Sequence, residues 1–420
     1  MKILWFANTP CAAIDFFGGK TTSGGWLYSL SKELSNHGDI ELHIAFKWSK
    51  DIESFEYNGI FYHPIFQRGN SKITRILYNI LNRFNNKQET NNLIKYFDIV
   101  QKVNPDVIHI HGTENDFGLI TEKVSCPVLV SIQGLLSSYQ HKLFAGYQKN
   151  TIAKYEPILH KLLFLGINCF EKDFKKKAER EIRIIRANKN IIGRTQWDFD
   201  CTQAINPQRK YYYCSEILRD AFYKHHWVAD SKSSNRTILV TTISSGIYKG
   251  LETIYNTAKI LTNNGFDFEW RIIGTQTSDK MVKTTEKMLN IDHDTINIKF
   301  HGKKEADEMI GIMKSANVFV QVSHIENSPN SLCEAMLIGI PIIATMAGGT
   351  SSILKDCKEG TLIQDGDPYS LAGAIMTCIA NYDKAIAMGK QARETSHKRH
   401  DPIIITNDLI NIYKSVKQNG

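Results

Sequence analysis

Short apolar runs alternate with segments of helical spacing along the chain. The runs fall at residues 3–7, 41–46, 107–111 and 128–132 in the first half. In the second half they fall at 238–242, 269–273, 296–300, 318–322 and 342–344. Most are continuously apolar rather than alternating, the pattern of strands buried on both faces. Between them, residues 26–36, 251–263, 306–315 and 331–338 carry apolar side chains at helical spacing. Repeated strand–helix–strand units predict an α/β fold with two doubly wound, parallel, Rossmann-like sheets.

The pattern divides into an N-terminal domain over 1–215, a C-terminal domain over 216–395 and a terminal helix over 396–420, which is a candidate to pack back on the first domain. A basic helical region at about 150–190 and a polar stretch at 200–213 lead up to the boundary. Residues 231–235 (Ser-Lys-Ser-Ser-Asn) read as a loop into the second domain's first strand. Residues 400–420 read as a helix. No internal repeat or low-complexity tract interrupts this reading.

Composition narrows the function classes. A chain of 420 residues, 42% hydrophobic and 22% charged, is ordinary for a globular protein of two or three domains. The net charge of +8 suits anionic ligands such as phosphates or acidic lipids without demanding nucleic acid. The eight cysteines include no C-x-x-C pair, which predicts free thiols in a reducing compartment rather than a disulfide framework or zinc site. The first apolar run is too short for a secretory leader core, and no run of 18 apolar residues exists. A cytoplasmic protein is expected, with the inner face of the membrane as a candidate location.

The sharpest chemical signal is His324-Ile325-Glu326-Asn327-Ser328-Pro329-Asn330-Ser331-Leu332-Cys333-Glu334. It follows the predicted strand 318–322 and runs into an apolar helix. Glu326 then falls in the loop at a strand's carboxyl end, where open α/β sheets bind ligands. Asn330 or Ser331 is a candidate helix cap, and the free amides of a helix start attract a diphosphate. Glu334 reads as a first-turn acid, either within reach of a ligand hydroxyl or simply favoured by the helix dipole.

This segment, followed by Gly339-Ile340-Pro341, resembles the E-x7-E region of retaining GT-B glycosyltransferases of the family-4 type (glycosyl transferases group 1). The resemblance is strong over about 238–375 and weaker but colinear over 1–225. It implies two Rossmann-like domains facing each other across a cleft, with a nucleotide-diphosphate sugar on the second. It implies that Glu326 contacts the donor sugar near the reaction centre and Glu334 holds the ribose hydroxyls. Amides of the intervening loop would lie beside sugar and phosphates. Pro329 has none, so the donors are expected from Asn330, Ser331 and Leu332.

A second signal is Thr242-Ile243-Ser244-Ser245-Gly246-Ile247-Tyr248-Lys249-Gly250, where a small-residue loop and a lysine precede a helix. Lys249 is a point charge for phosphate oxygens, or else a solvated lysine at a loop edge. The family pattern often adds an arginine; here Ser244 or Ser245 stands in its place. The Gly-rich segment 17–26 fits neither a phosphate loop, since Ile14 stands where glycine is needed, nor G-x-G-x-x-G. By resemblance Gly24 and Gly25 face donor phosphates and acceptor; a flexible turn is the plainer reading. Around Val107-Ile108-His109-Ile110-His111, period two puts both histidines on one side of a strand. His111 is expected at the cleft rim and His109 in the core. Glu114 follows in the loop. Gln133, which cannot act as acid or base, occupies the position of a family histidine. Arg194 is placed near the cleft, with a surface or interdomain arginine as the alternative, and Tyr211–Tyr213 with Glu216 in an interdomain crossover. Residues 161–186 and 71–87 read as basic amphipathic segments, able to meet an anionic membrane or to form ordinary helices with solvated faces.

The resemblance suggests retaining transfer to a saccharide or lipid-linked saccharide acceptor in cell-surface polysaccharide synthesis; acidic pairs also serve hydrolases, but hydrolases need no diphosphate-binding loop. No Asp-x-Asp metal motif is read at a strand end, so neither metal nor cofactor is expected. Catalytic roles fall to Glu326, Lys249 and His111. A nucleotide-sugar epimerase of the same fold and an inert sugar-nucleotide-binding subunit stay open as alternatives.

Overall fold

The computed structural model describes residues 1–19, 25–67, 87–159, 165–229, 236–244 and 246–419. The sequence expectations for Gly24, Ser245, residues 71–86, 161–164 and 231–235 lie outside these. The chain forms two compact units. The first comprises 1–140, 156–217 and 400–420; the second comprises 141–155 and 218–399. Two parallel-sheet α/β units are thus present, but the division is not a single cut in sequence. Residues 141–155 join the second unit, and 400–420 return to the first.

The first unit holds β1 (Lys2–Ala7), β2 (Glu41–Trp48), β3 (Phe55–Tyr57), β4 (Ile60–Phe66), β5 (Val107–His111), β6 (Val128–Ser131), β7 (Asn190–Gly193) and β8 (Lys210–Tyr213). Their order is β3-β4-β2-β1-β5-β6-β7-β8, parallel except for the β3–β4 hairpin. That hairpin turns at Asn58-Gly59, both with positive φ, a turn signal the apolar-run reading passed over. Tyr211–Tyr213 form an edge strand here, not a crossover. The longer helices are α1 (Gly25–Ser35), α2 (Lys87–Val103), α3 (Ile167–Ala187) and α4 (Gln196–Ile205).

The second unit holds β9 (Thr237–Thr242), β10 (Phe268–Ile273), β11 (Ile298–Gly302), β12 (Val318–Gln321), β13 (Ile342–Thr345) and β14 (Thr361–Ile363), in the order β11-β10-β9-β12-β13-β14, all parallel. Around them lie α5 (Leu251–Asn263), α6 (Lys280–Leu289), α7 (Ala306–Lys314), α8 (Asn330–Ile338), α9 (Pro368–Ala380) and α10 (Tyr382–Arg399). Strands such as Leu239–Val240 and Phe319–Val320 are fully buried, because helices cover both sheet faces. Helix ends follow local chemistry: Asp367 caps α9 by accepting from the Tyr369 and Ser370 amides, and Gly339 closes α8 at φ +83°.

The last helix, α11 (Pro402–Asn419), belongs to the first unit's core. Its Ile405, Leu409 and Val416 pack in one cluster with Ile3, Trp5 and Leu30. Trp5 Nε1 donates to the Tyr413 hydroxyl at 2.9 Å, and Tyr413 Oη lies 2.7 Å from His109 Nδ1. All eight cysteines are free thiols. Among the described residues, no helix is long and apolar enough to cross a membrane.

Candidate functional site

In the second unit the strand order reverses between β9 and β12, and the loops after these two strands carry the expected donor residues. Lys249 closes the turn Ile247–Lys249; Glu326 lies between β12 and α8. Their ammonium and carboxylate form a direct ion pair. Ser323 Oγ donates to the same Glu326 oxygen at 2.8 Å. Burial acts to lower the Lys249 pKa, but the Glu326 charge outweighs it and holds it above the ordinary lysine value.

Backbone contacts fix this pair. The His324 amide donates to the Tyr248 carbonyl at 2.9 Å, tying the two loops together. Gly250, at φ +79°, lies against the Val322 carbonyl with no room for a Cβ. Gly348, at φ +58°, lies in the same way against the Glu326 carbonyl, which also accepts from the Gly349 amide at 2.9 Å. Glycine is required at both points because the backbones touch.

Beside the pair, His324 is 4% exposed and bracketed by carboxylates: Nε2 is 2.6 Å from Glu252 and Nδ1 is 3.2 Å from Asp365. Burial pushes its pKa down, yet the hydrogen bonds and charges of Glu252, then Asp365, raise it above the usual histidine value. Lys142, from the 141–155 segment of this unit, reaches Asp365 at 3.1 Å. Asp365-Gly366-Asp367 is an Asp-x-Asp pair just after β14, a strand absent from the sequence reading. Both carboxylates are already engaged, Asp365 with His324 and Lys142, Asp367 as the α9 cap.

The start of α8 differs from expectation. Pro329 is the cap residue, and neither Asn330 nor Ser331 caps the helix. The Leu332 and Cys333 amides donate to the Pro329 carbonyl at 2.9 and 3.1 Å. The amide of Leu332 is therefore spent within the turn, while those of Asn330 and Ser331 head the helix, ahead of any intrahelical acceptor. Glu334 sits beyond the first turn, 3% exposed. Arg219 grips it in a two-point fork: Nε to Oε1 at 2.6 Å and Nη2 to Oε2 at 2.7 Å. Burial pushes the Glu334 carboxyl up and Arg219 opposes that shift. No period or motif marks Arg219 in sequence; only folding brings it to Glu334.

In the first unit, polar residues gather at the carboxyl ends of β1, β5, β6 and β7. Gly112, at φ +92°, lies so close to Glu114, Asn8 and Gln133 that a Cβ would fall 2.9 Å from Asn8 Nδ2 and 3.2 Å from Gln133 Cδ. Asn8 Nδ2 donates to Glu114 Oε2 at 3.3 Å, and Arg180 holds the Glu114 carbonyl at 2.6 Å. Burial raises the Glu114 carboxyl to about 7. Arg194 is neither a surface residue nor solvated. It is 4% exposed, stacks 4.2 Å from the Trp26 ring centroid and pairs with the buried Glu216 at 3.5 Å. Gly25, the first residue of α1, is buried beside Trp26 in sequence.

His111 does not border an open rim. It is fully buried, with ring centroids of Trp5, Trp26 and His109 at 4.3, 5.7 and 3.9 Å. Neither ring nitrogen has a hydrogen-bond partner among the described residues. Burial, then the neighbouring His109 and Arg194, hold its pKa well below the ordinary value, so the ring is neutral. His109 is the satisfied core residue expected: Nε2 lies 2.6 Å from Ser131 Oγ, and burial lowers it to about 3. The apolar stripe of α3 faces its own core only at its C-terminal end, where Ala178 and Ile185 are fully buried; Phe174 and Ile182 are half-buried and Phe170 is exposed, as are Lys172, Lys175, Lys176, Arg183 and Arg186.

Two parallel-sheet α/β units, together with the likeness to solved glycosyltransferases, give the chain the GT-B fold. Over its whole length the chain is similar to the sucrose-phosphate synthase of Thermosynechococcus elongatus, with TM-score 0.73, 14% identity and complete coverage of both chains. It is likewise similar to Anabaena HepE in complex with UDP-glucose, with TM-score 0.66, 14% identity and coverage of 99% and 100%. Residues 227–395 match the family model of glycosyl transferases group 1. In sequence, it is 20% identical over 167 residues to the capsular polysaccharide biosynthesis glycosyltransferase CapM of Staphylococcus aureus, 40% of this chain and 43% of that one. The chain spans about two fifths or less of the length of the curated relatives it matches.

Proposed function

We propose that the chain transfers a sugar from a nucleotide-diphosphate sugar to a saccharide or lipid-linked saccharide acceptor, with retention of anomeric configuration, in the synthesis of a cell-surface polysaccharide. The observation that carries this reading is the Lys249–Glu326 pair at the switch point of the second unit's sheet, inside the stretch that matches the transferase family. Lys249 and the Asn330 and Ser331 amides are suited to the charge that grows on a departing diphosphate. Glu326 is suited to orient the sugar and to offset positive charge at its anomeric carbon. The bond from anomeric carbon to phosphate oxygen breaks, the acceptor hydroxyl oxygen bonds to that carbon on the same face, and its proton passes to the leaving phosphate. Nothing in these steps calls for a metal, so activity should persist in excess EDTA.

Glu334 is assigned the ribose hydroxyls. Glu114, Gln133, Asn8 and Arg194 of the first unit are assigned to the acceptor, and the convergence of the first three around Gly112 supports that role. The exposed cations of α3 suit a peripheral contact with anionic lipid, and vesicle sedimentation at low and high salt tests it. The primary test is thermal stabilisation by UDP-, GDP-, ADP- and CDP-sugars, with Glu334→Ala alongside. A shift confined to one nucleotide and lost in the variant supports the assignment; no shift with any of the four overturns it.

A further inference from the structure

Glu334 is closed off inside the second unit, yet the residue that neutralises it is not. The Arg219 side chain is 25% exposed against 3% for Glu334, so the guanidinium forms the outer wall of the pair. Its own position is fixed: the guanidinium carbon sits 4.8 Å from the Phe222 ring centroid, and Nη2 lies 3.6 Å from Met309 Sδ. Of the other charged groups on neighbouring elements, Arg393 of α10 bonds the carbonyls of Leu337 and His225 and His397 lies edge-on to Tyr223, whereas Glu305, which caps α7, adds a smaller favourable charge to Arg219 than Glu334 does.

A carboxylate offers roughly four lone-pair positions, and a guanidinium fork takes two of them. We propose that Arg219 is a positioning residue for the donor nucleotide: it holds Glu334 as an anion in one orientation, leaving its other lone pairs to the ribose hydroxyls. This inference rests on the reading of Glu334 as the ribose acceptor. Without Arg219, a carboxyl so deeply buried would take up a proton, and a neutral acid is a poor acceptor for two hydroxyls.

The test is calorimetric titration of the full chain with UDP, GDP, ADP and CDP, then with the 2′-deoxy form of the one that binds, between pH 6 and 8.5. Wild type should bind one diphosphate with a pH dependence set only by ionisation of the ligand's terminal phosphate, and discriminate against its 2′-deoxy form by about 10-fold or more across that range. Arg219→Met should weaken binding by about 10-fold at pH 6, abolish the 2′-deoxy discrimination there, and recover both as pH rises and Glu334 ionises. Arg219→Lys keeps the charge without the fork; a smaller loss of about 3-fold, without pH dependence, is expected. This variant carries the test should the methionine variant fail to fold. Glu334→Gln should lose discrimination at every pH. If Glu334→Gln weakens binding while both Arg219 variants match wild type in affinity, pH profile and 2′-deoxy ratio, the role of Arg219 is overturned and the donor reading stands. If folded wild type binds none of the four, both fall.

Discussion

Gly250 and Gly265 offer a controlled measurement of how tightly the donor loops are built. Both adopt left-handed backbone, at φ +79° and +67°, in the second unit. An alanine at Gly265 would meet nothing within 4 Å. Its cost is then the left-handed strain of a Cβ, about 1–2 kcal/mol, offset by about 0.4–1 kcal/mol from the stiffer unfolded chain. At Gly250 the same strain applies, but the Cβ would also overlap the Val322 carbonyl oxygen and lie 2.9 Å from its carbon, where ordinary contact begins at 3.4 Å. Backbone on both sides must shift, which adds about 1–3 kcal/mol of overpacking. Gly250→Ala should therefore cost about 2–4 kcal/mol and Gly265→Ala about 1 kcal/mol or less. Guanidinium unfolding read by hydrogen exchange in second-unit peptides separates this from events in the first unit. Because Val322 leads directly into the loop bearing Ser323 and Glu326, nucleotide binding should weaken in Gly250→Ala alone. Equal stabilities for the two variants, within about 0.5 kcal/mol, would refute the claim that backbone contact fixes these loops.

Glu326→Gln should lower turnover by about 100-fold or more and also lower the melting temperature, since Lys249 loses the charge that offsets its burial; steady-state kinetics and a thermal scan check both. His324, raised by Glu252 and Asp365, contributes stability that is full below the unfolded histidine value and is lost as pH rises through the higher folded value. The difference in stability between wild type and His324→Gln should therefore shrink from pH 6 to pH 9, measured by urea unfolding. Glu114 loses stability in the same direction but over a lower range: a buried acid raised to about 7 destabilises the fold progressively as pH climbs from the ordinary carboxyl range to 7. Glu114→Gln should remove that slope and be the more stable protein at pH 8.

Much of the fold was legible because strands buried on both faces must be continuously apolar. The continuously apolar run at 3–7 falls within β1, and the helical segment at 251–263 matches α5 residue for residue. What escaped were short or amphipathic strands at sheet edges. β3 and β4 form an antiparallel pair with one solvated side, β8 is three tyrosines after a lysine, and β14 is three residues long. Composition at an edge need not be apolar, so the run criterion fails there. The division into units was legible only in part, because residues 141–155 and 400–420 cross between sequence halves, and nothing local records where a helix docks.

The site divides along the same line. Lys249 and Glu326 were readable because each follows a recognisable strand, and strand ends at the switch point are adjacent by topology. Their being an ion pair was not readable, and it changes the electrostatics. A lone lysine would attract a diphosphate with its full charge; here Glu326 already neutralises it, and Arg219 does the same for Glu334. The second unit's site is thus assembled from internally balanced pairs. Such pairs hold side chains in place without ligand and avoid the cost of an isolated buried charge. They also mean that a diphosphate must share Lys249 with Glu326 rather than meet a free cation, leaving the open amides of Asn330 and Ser331 to supply the uncompensated positive potential. Donor affinity should then depend less on salt than a bare lysine site would, because helix-start amides carry no counterion to release.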